Sequence, residues 1–136
     1  MSAPALVVVV KGSRDPRVAQ VAHALCEQLS TRRAEIDTHV AFLTSCPPSG
    51  MQVVSQFAAL PGREIVYVPL DLARAVDPDE SVAALLRRSR ATHPDLRFAL
   101  SRPVGPEPAL LTVLDARLRA ALAHARCLEL DGLVLS

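Results

Sequence analysis

Residues 7–17 read VVVVKGSRDPR, and they decide the fold. Val7 to Val10 close a short, unbroken, β-branched run that begins at Ala5. Such a run marks a strand covered on both faces, because a strand with one wet face alternates apolar and polar residues. Gly12 and Ser13 end it. Asp15 and Pro16 are helix start signals, and Val18, Val21, Ala22, Leu25 and Leu29 follow at helical spacing. Lys11 stands where the strand stops and the small polar loop begins.

Outward from this stretch the same alternation repeats. Ile36 to Leu43 reads as a second strand, SCPPSG as a loop, and Met51 to Leu60 as a helix stopped by Pro61-Gly62. Ile65 to Val68 is a third, buried strand. Ser81 to Arg90 is a helix with Val82, Leu85 and Leu86 inward and Arg87, Arg88 and Arg90 outward, stopped at His93-Pro94. Leu96 to Leu100 is a fourth strand. Pro108 to Arg126 is a long helix carrying Leu111, Leu114, Leu118 and Leu122. Leu133 to Leu135 reads as the start of a fifth strand. Continuous apolar strands alternating with helices over short connections define an α/β domain. The expectation is a mainly parallel sheet of four to five strands, flanked by helices on both faces, with Val7–Val10 and Ile65–Val68 central.

The bulk composition sets the bounds. A chain of 136 residues fits one domain, 1–136. Half of it is hydrophobic and only 3% aromatic, so the core is built from Val, Leu, Ile and Ala. A formal net charge of +1 gives no basic field for nucleic acid. No apolar run approaches the ~18 residues of a membrane span. Cys26, Cys46 and Cys127 are far apart and in no CxxC spacing, as expected of reduced thiols in a cytoplasm. With a strand expected from Ala5 onward, no charged leader is expected.

In open parallel sheets ligands bind beyond the carboxyl ends of the strands. The segments of interest are therefore 11–17, 44–50, 69–80 and 101–107. Gly12-Ser13 is either an anion cradle at a helix start or a tight turn with Ser13 or Asp15 capping the helix. Cys46 is either a soft ligand or a small half-buried residue in a Pro-rich turn. Arg74, Asp77, Asp79 and Glu80 form a charged loop, either functional or a solvated helix start. Lys11, Arg14, Arg17 and Arg102 are either a cationic rim for a polycarboxylate or ordinary surface charge. His23, His39, His93 and His124 sit in helices, mid-strand or before proline, and read as structural or surface residues.

GSRDPR after a hydrophobic strand, VAFL before a Pro-Ser loop, IVYVPLDLA, VGPEP and LDARL together resemble the class II chelatases. These are the small sirohydrochlorin cobalto- and ferrochelatases of cobalamin and siroheme synthesis. The likeness is collinear from Leu6 to Arg117. It implies a tetrapyrrole cleft above the strand ends and a divalent metal (cobalt, iron or nickel) as substrate. It also implies pairing, as a homodimer or with a second chelatase-like half. The tail 131–135 resembles the opening strand of a second repeat, or is an ordinary terminal strand.

The departures from the family pattern fall on its chemistry. The resemblance implies a His at position 11, where this chain has Lys11, and an acidic residue after Phe42-Leu43, where it has Thr44. The second metal-binding His falls on Asp77, and the glycine before it is missing, with Ala75 nearest. An imidazole is both a neutral nitrogen ligand and a base near neutral pH. A lysine ammonium has three donors and no lone pair until it loses a proton. The resemblance thus puts Lys11 and Asp77 at the catalytic positions; with residue chemistry and loop position added, Asp77 and Cys46 are the metal-ligand candidates, and Lys11, Gly12, Ser13, Arg14, Thr44, Arg74 and Arg102 the expected substrate contacts. Three readings follow: a tetrapyrrole-binding chelatase relative with a degenerate metal site, an active lyase of unorthodox metal site using Lys11, Asp77 and Cys46, or a non-catalytic partner-binding subunit.

Overall fold

A computed structural model describes residues 3–71, 80–105, 107–127 and 132. It divides into two compact units, Met1–Gly105 and Pro106–Ser136. The first unit runs β1 (Ala5–Val10), α1 (Pro16–Arg32), β2 (Asp37–Phe42), α2 (Gly50–Ser55), β3 (Glu64–Pro69), α3 (Glu80–Thr92) and β4 (Arg97–Leu100). The sheet order is β2-β1-β3-β4 and every pairing is parallel. The two runs without polar alternation, Val7–Val10 and Ile65–Val68, are therefore the central strands.

Strand side chains alternate faces, and two cores result. On one face Val7, Val9, Ala41, Ile65 and Tyr67 pack with Val53 and Val54 of α2 and Val82 of α3. On the other, Val8, Val40 and Phe42 pack with Ala22 and Cys26 of α1. Neither face of β1 could tolerate a polar residue, which is why its sequence is a valine run.

Three expectations are corrected. The helix expected over Met51 to Leu60 stops at Ser55. Beyond it the bonds tighten to i−3 type, with Phe57 N–H donating to Val54 O and Leu60 N–H to Phe57 O. Pro61 then ends the segment, since the residue before a proline is pushed out of the α region. On α3 the buried stripe continues from Val82 to Ser89, which is fully buried although polar. Its Oγ lies 2.6 Å from the Tyr67 hydroxyl and donates to Leu85 O at 2.8 Å, so the buried phenol has its partner. Arg90 does not simply face water: its guanidinium donates to Phe98 O on the outer edge of β4 at 3.0 Å.

The second unit holds α4 (Pro108–Ala125), with Pro at the first turn and Arg126 closing it in the left-handed region, φ 54°. None of its residues is buried, and Leu111 and Leu114 are exposed. The expected fifth strand, Leu133 to Leu135, lies outside the described residues. Among the described residues no helix is long and apolar enough to cross a membrane.

Candidate functional site

The loops after β1 and β2 meet at the carboxyl end of the sheet and lock together. Leu43 N–H donates to Val10 O at 2.9 Å, and one residue on Thr44 N–H donates to Lys11 O at 2.9 Å. The Thr44 hydroxyl donates to the same Lys11 carbonyl, also at 2.9 Å. Gly12 is required here. Its φ is +88°, and a Cβ built on it would lie 1.9 Å from the Thr44 carbonyl oxygen. No side chain fits between the two loops.

Ser13 and Asp15 complete the turn as its structural reading foresaw. Ser13 Oγ accepts from Asp15 N–H at 3.1 Å, and Asp15 caps α1 by accepting from Arg17 N–H at 3.0 Å. The Arg17 guanidinium also grips Asp15, at 2.6 Å, and holds its carboxyl below the usual range. Cys46 is half-buried against the α1 face, and its thiol donates to Ser13 O at 3.0 Å. That is its structural reading too: a third tie between the loops.

What remains is cationic. Lys11 and Arg14 are exposed on the first loop and Arg102 on the loop after β4. None of the three makes a hydrogen bond or ion pair through its side chain with a described residue. Both loops after β3 and β4 start at the same level, with Leu70 N–H bonded to Val9 O and Val104 N–H to Pro69 O. The sheet thus brings Lys11, Gly12, Ser13, Arg14 and Thr44 into one locked corner, with Cys46 beneath and Arg102 at the end of β4. Arg74 and Asp77 lie outside the described residues. Among those described, no three His, Cys, Asp or Glu side chains gather as a metal site. His39 is engaged with Asp37 at 2.7 Å, and the His23 ring stands 5.9 Å from that of Phe42.

Two features escaped the sequence reading. Ser49 and Gln52 form a capping box at the start of α2, which the Ser-x-x-Gln spacing announces. Arg88 lines a groove that opens between α2 and α3 beside the end of β2, where an outward arginine gave no signal of its own.

An all-parallel, four-stranded α/β sheet flanked by helices is the chelatase-like class of architecture. The chain matches the CbiX family model over residues 5–121 and belongs to that family, the class II chelatases that its motifs resemble. Its fold is similar to that of a cobalamin (vitamin B12) biosynthesis CbiX protein from Marinobacter aquaeolei VT8, with a TM-score of 0.72 at 22% identity, over 90% of this chain and 99% of that one. It is equally similar to SirB from Bacillus subtilis, solved with Fe3+, with a TM-score of 0.72 and 22% identity over 90% of this chain. The match spans 48% of SirB, so this chain corresponds to about half of it. No curated protein matches the chain.

Proposed function

We propose that the protein binds a polycarboxylate tetrapyrrole at the strand carboxyl ends, as a relative of the sirohydrochlorin chelatases whose own metal site is degenerate. The observation that carries this reading is the place of Lys11. It occupies the position for which the family pattern has an imidazole, at the end of a central strand, exposed and without an ion-pair partner among the described residues. Thr44, at the family's acidic position, has its hydroxyl engaged with the Lys11 carbonyl instead. An ammonium attracts carboxylates through charge-assisted hydrogen bonds and repels a bare dication. A single carboxylate in place of an imidazole makes a poorer site for a divalent transition metal.

Absorbance titration with sirohydrochlorin tests the reading. Binding should be saturable, and adding cobalt should leave the bound spectrum unchanged on the timescale of turnover. A metal-dependent spectral change catalysed by the protein would identify an active inserting lyase. No binding at all would leave a non-catalytic partner subunit.

The protein is further proposed to act in the cytoplasm as a homodimer or beside a second chelatase-like half. One small sheet gives one wall of a cleft for a macrocycle, and SirB is about twice as long. Light scattering that finds a strict monomer at high concentration, with no copurifying partner, would contradict this.

A further inference from the structure

A groove of about 400 Å³ opens between α2 and α3 beside the end of β2. Its buried and half-buried lining is apolar, led by Phe42, Leu43 and Leu85, while Ser49, Ser81 and Arg88 line it as exposed residues. Gly50 keeps it tight: a Cβ there would lie 2.5 Å from the Leu85 methyl carbons, so the backbone of α2 closes directly onto Leu85. Leu43 joins the groove to the corner described above, since its N–H is bonded to Val10 O, one residue before Lys11.

Ser81, Ala84, Leu85 and Arg88 recur at i, i+3, i+4 and i+7 and so form one stripe of α3. Because α3 joins two parallel strands, it runs opposite to them, with its first turn at their carboxyl ends. Helical side chains tilt toward the helix N-terminus, which aims Arg88 along the groove toward the strand ends. The neighbouring arginines are engaged: Arg87 with Glu80 at 2.7 Å and Arg90 with Phe98 O at 3.0 Å. Arg88 makes no side-chain hydrogen bond or ion pair with a described residue, and it is the one charged residue among the described lining. An apolar slot with a single unpartnered guanidinium complements a flat apolar edge that carries a carboxylate.

We infer that this groove receives one edge of the tetrapyrrole and that Arg88 binds a carboxylate there, as a second anion contact apart from Lys11. The inference rests on the proposed polycarboxylate ligand and names a determinant of its specificity.

The test is a fluorescence titration with uroporphyrin, a polycarboxylate tetrapyrrole, and with its fully esterified counterpart. Arg88→Gln should weaken uroporphyrin binding about five- to thirtyfold, the scale of one charge-assisted hydrogen bond at a partly exposed site. Arg88→Lys should recover part of the loss, and Arg87→Gln, off the groove, should bind as wild type does. Affinity for the ester should be equal in wild type and Arg88→Gln. Thermal midpoints, unchanged because Arg88 is exposed, show that the variants fold. Unaltered uroporphyrin affinity in Arg88→Gln beside a loss in Lys11→Ala would overturn the groove and leave the function standing. Equal losses in Arg87→Gln and Arg88→Gln would also overturn it, as a general charge effect. Wild type that binds no uroporphyrin would overturn both.

Discussion

The two ends of the sheet treat their charges differently. At the amino end, Arg63 reaches Asp37 at 3.4 Å, His39 meets the same carboxylate at 2.7 Å, and Arg97 donates to Gly62 O at 3.2 Å. At the carboxyl end, Lys11, Arg14 and Arg102 have no side-chain partner among the described residues, and neither does Arg88 in the groove that opens beside the end of β2. The separation has exceptions on both sides. At the carboxyl end Arg17 is held by Asp15 and Glu80, which opens α3, holds Arg87; at the amino end Arg32 has no side-chain partner among the described residues in the last turn of α1, where a cation suits the helix dipole. The contrast teaches where this fold uses charge for its own geometry and where it leaves charge for something else.

The backbone shows the same contrast. Gly12 and Gly62 both have positive φ, +88° and +78°, but only Gly12 is crowded. Gly12→Val should be the most damaging change considered, about 3 kcal/mol from backbone strain plus the collision with Thr44. Urea denaturation followed by circular dichroism reads it. A loss no larger than that of Gly62→Ala would break the comparison, because Gly62 has nothing within 4 Å of its added Cβ. Lys11→Ala comes next, weakening polycarboxylate tetrapyrrole binding by ~1.5–3 kcal/mol while stability stays within about 0.5 kcal/mol. Gly62→Ala should cost ~1–2 kcal/mol of stability by strain alone and leave binding intact. Asp37→Ala releases Arg63 and His39, and at such an exposed site about 1 kcal/mol or less is expected, again without change in binding. If Asp37→Ala lowered ligand affinity as much as Lys11→Ala, the two ends would not be functionally distinct.

The smallest effect near neutral pH belongs to the core. Burial pushes both the Cys26 thiol and the Tyr67 hydroxyl up, with the Ser89 hydrogen bond only partly offsetting the latter. Each group keeps its proton longer folded than unfolded. Their stability is therefore complete below the ordinary thiol and phenol pKa values and is lost as pH rises through the folded ones. Urea midpoints should be flat through neutrality and fall at alkaline pH. Cys26→Ala and Tyr67→Phe should each flatten part of that fall.

Much of the scaffold was legible because burial on both faces leaves a plain mark. Val7 to Val10 and Ile65 to Val68 have no polar alternation, so their central places could be read from the chain alone. Ser89 was hidden because a serine among arginines looks solvated, and only the hydroxyl of Tyr67, distant in sequence, makes it a core residue. α2 was overextended because its apolar spacing continues to Leu60, and tight i−3 turns keep that spacing after the helix has stopped at Ser55. At the site, the residues after β1 were visible, yet their division of labour was not. Whether Ser13 and Cys46 tie loops or meet a ligand depends on contacts across more than thirty positions, such as Cys46 to Ser13 and Thr44 to Lys11. Arg88 needed the third dimension entirely, since only the approach of α2 makes its stripe a groove.

The most direct test of the central claim is a calorimetric titration of cobalt into wild type and Lys11→Ala, with Lys11→His/Asp77→His alongside. A carboxyl end built for anions predicts no tight cobalt binding by wild type or Lys11→Ala, and new cobalt affinity when both imidazoles are restored. Tight cobalt binding by wild type that disappears in Lys11→Ala would contradict it, and would make the amine a metal ligand or the base that serves one.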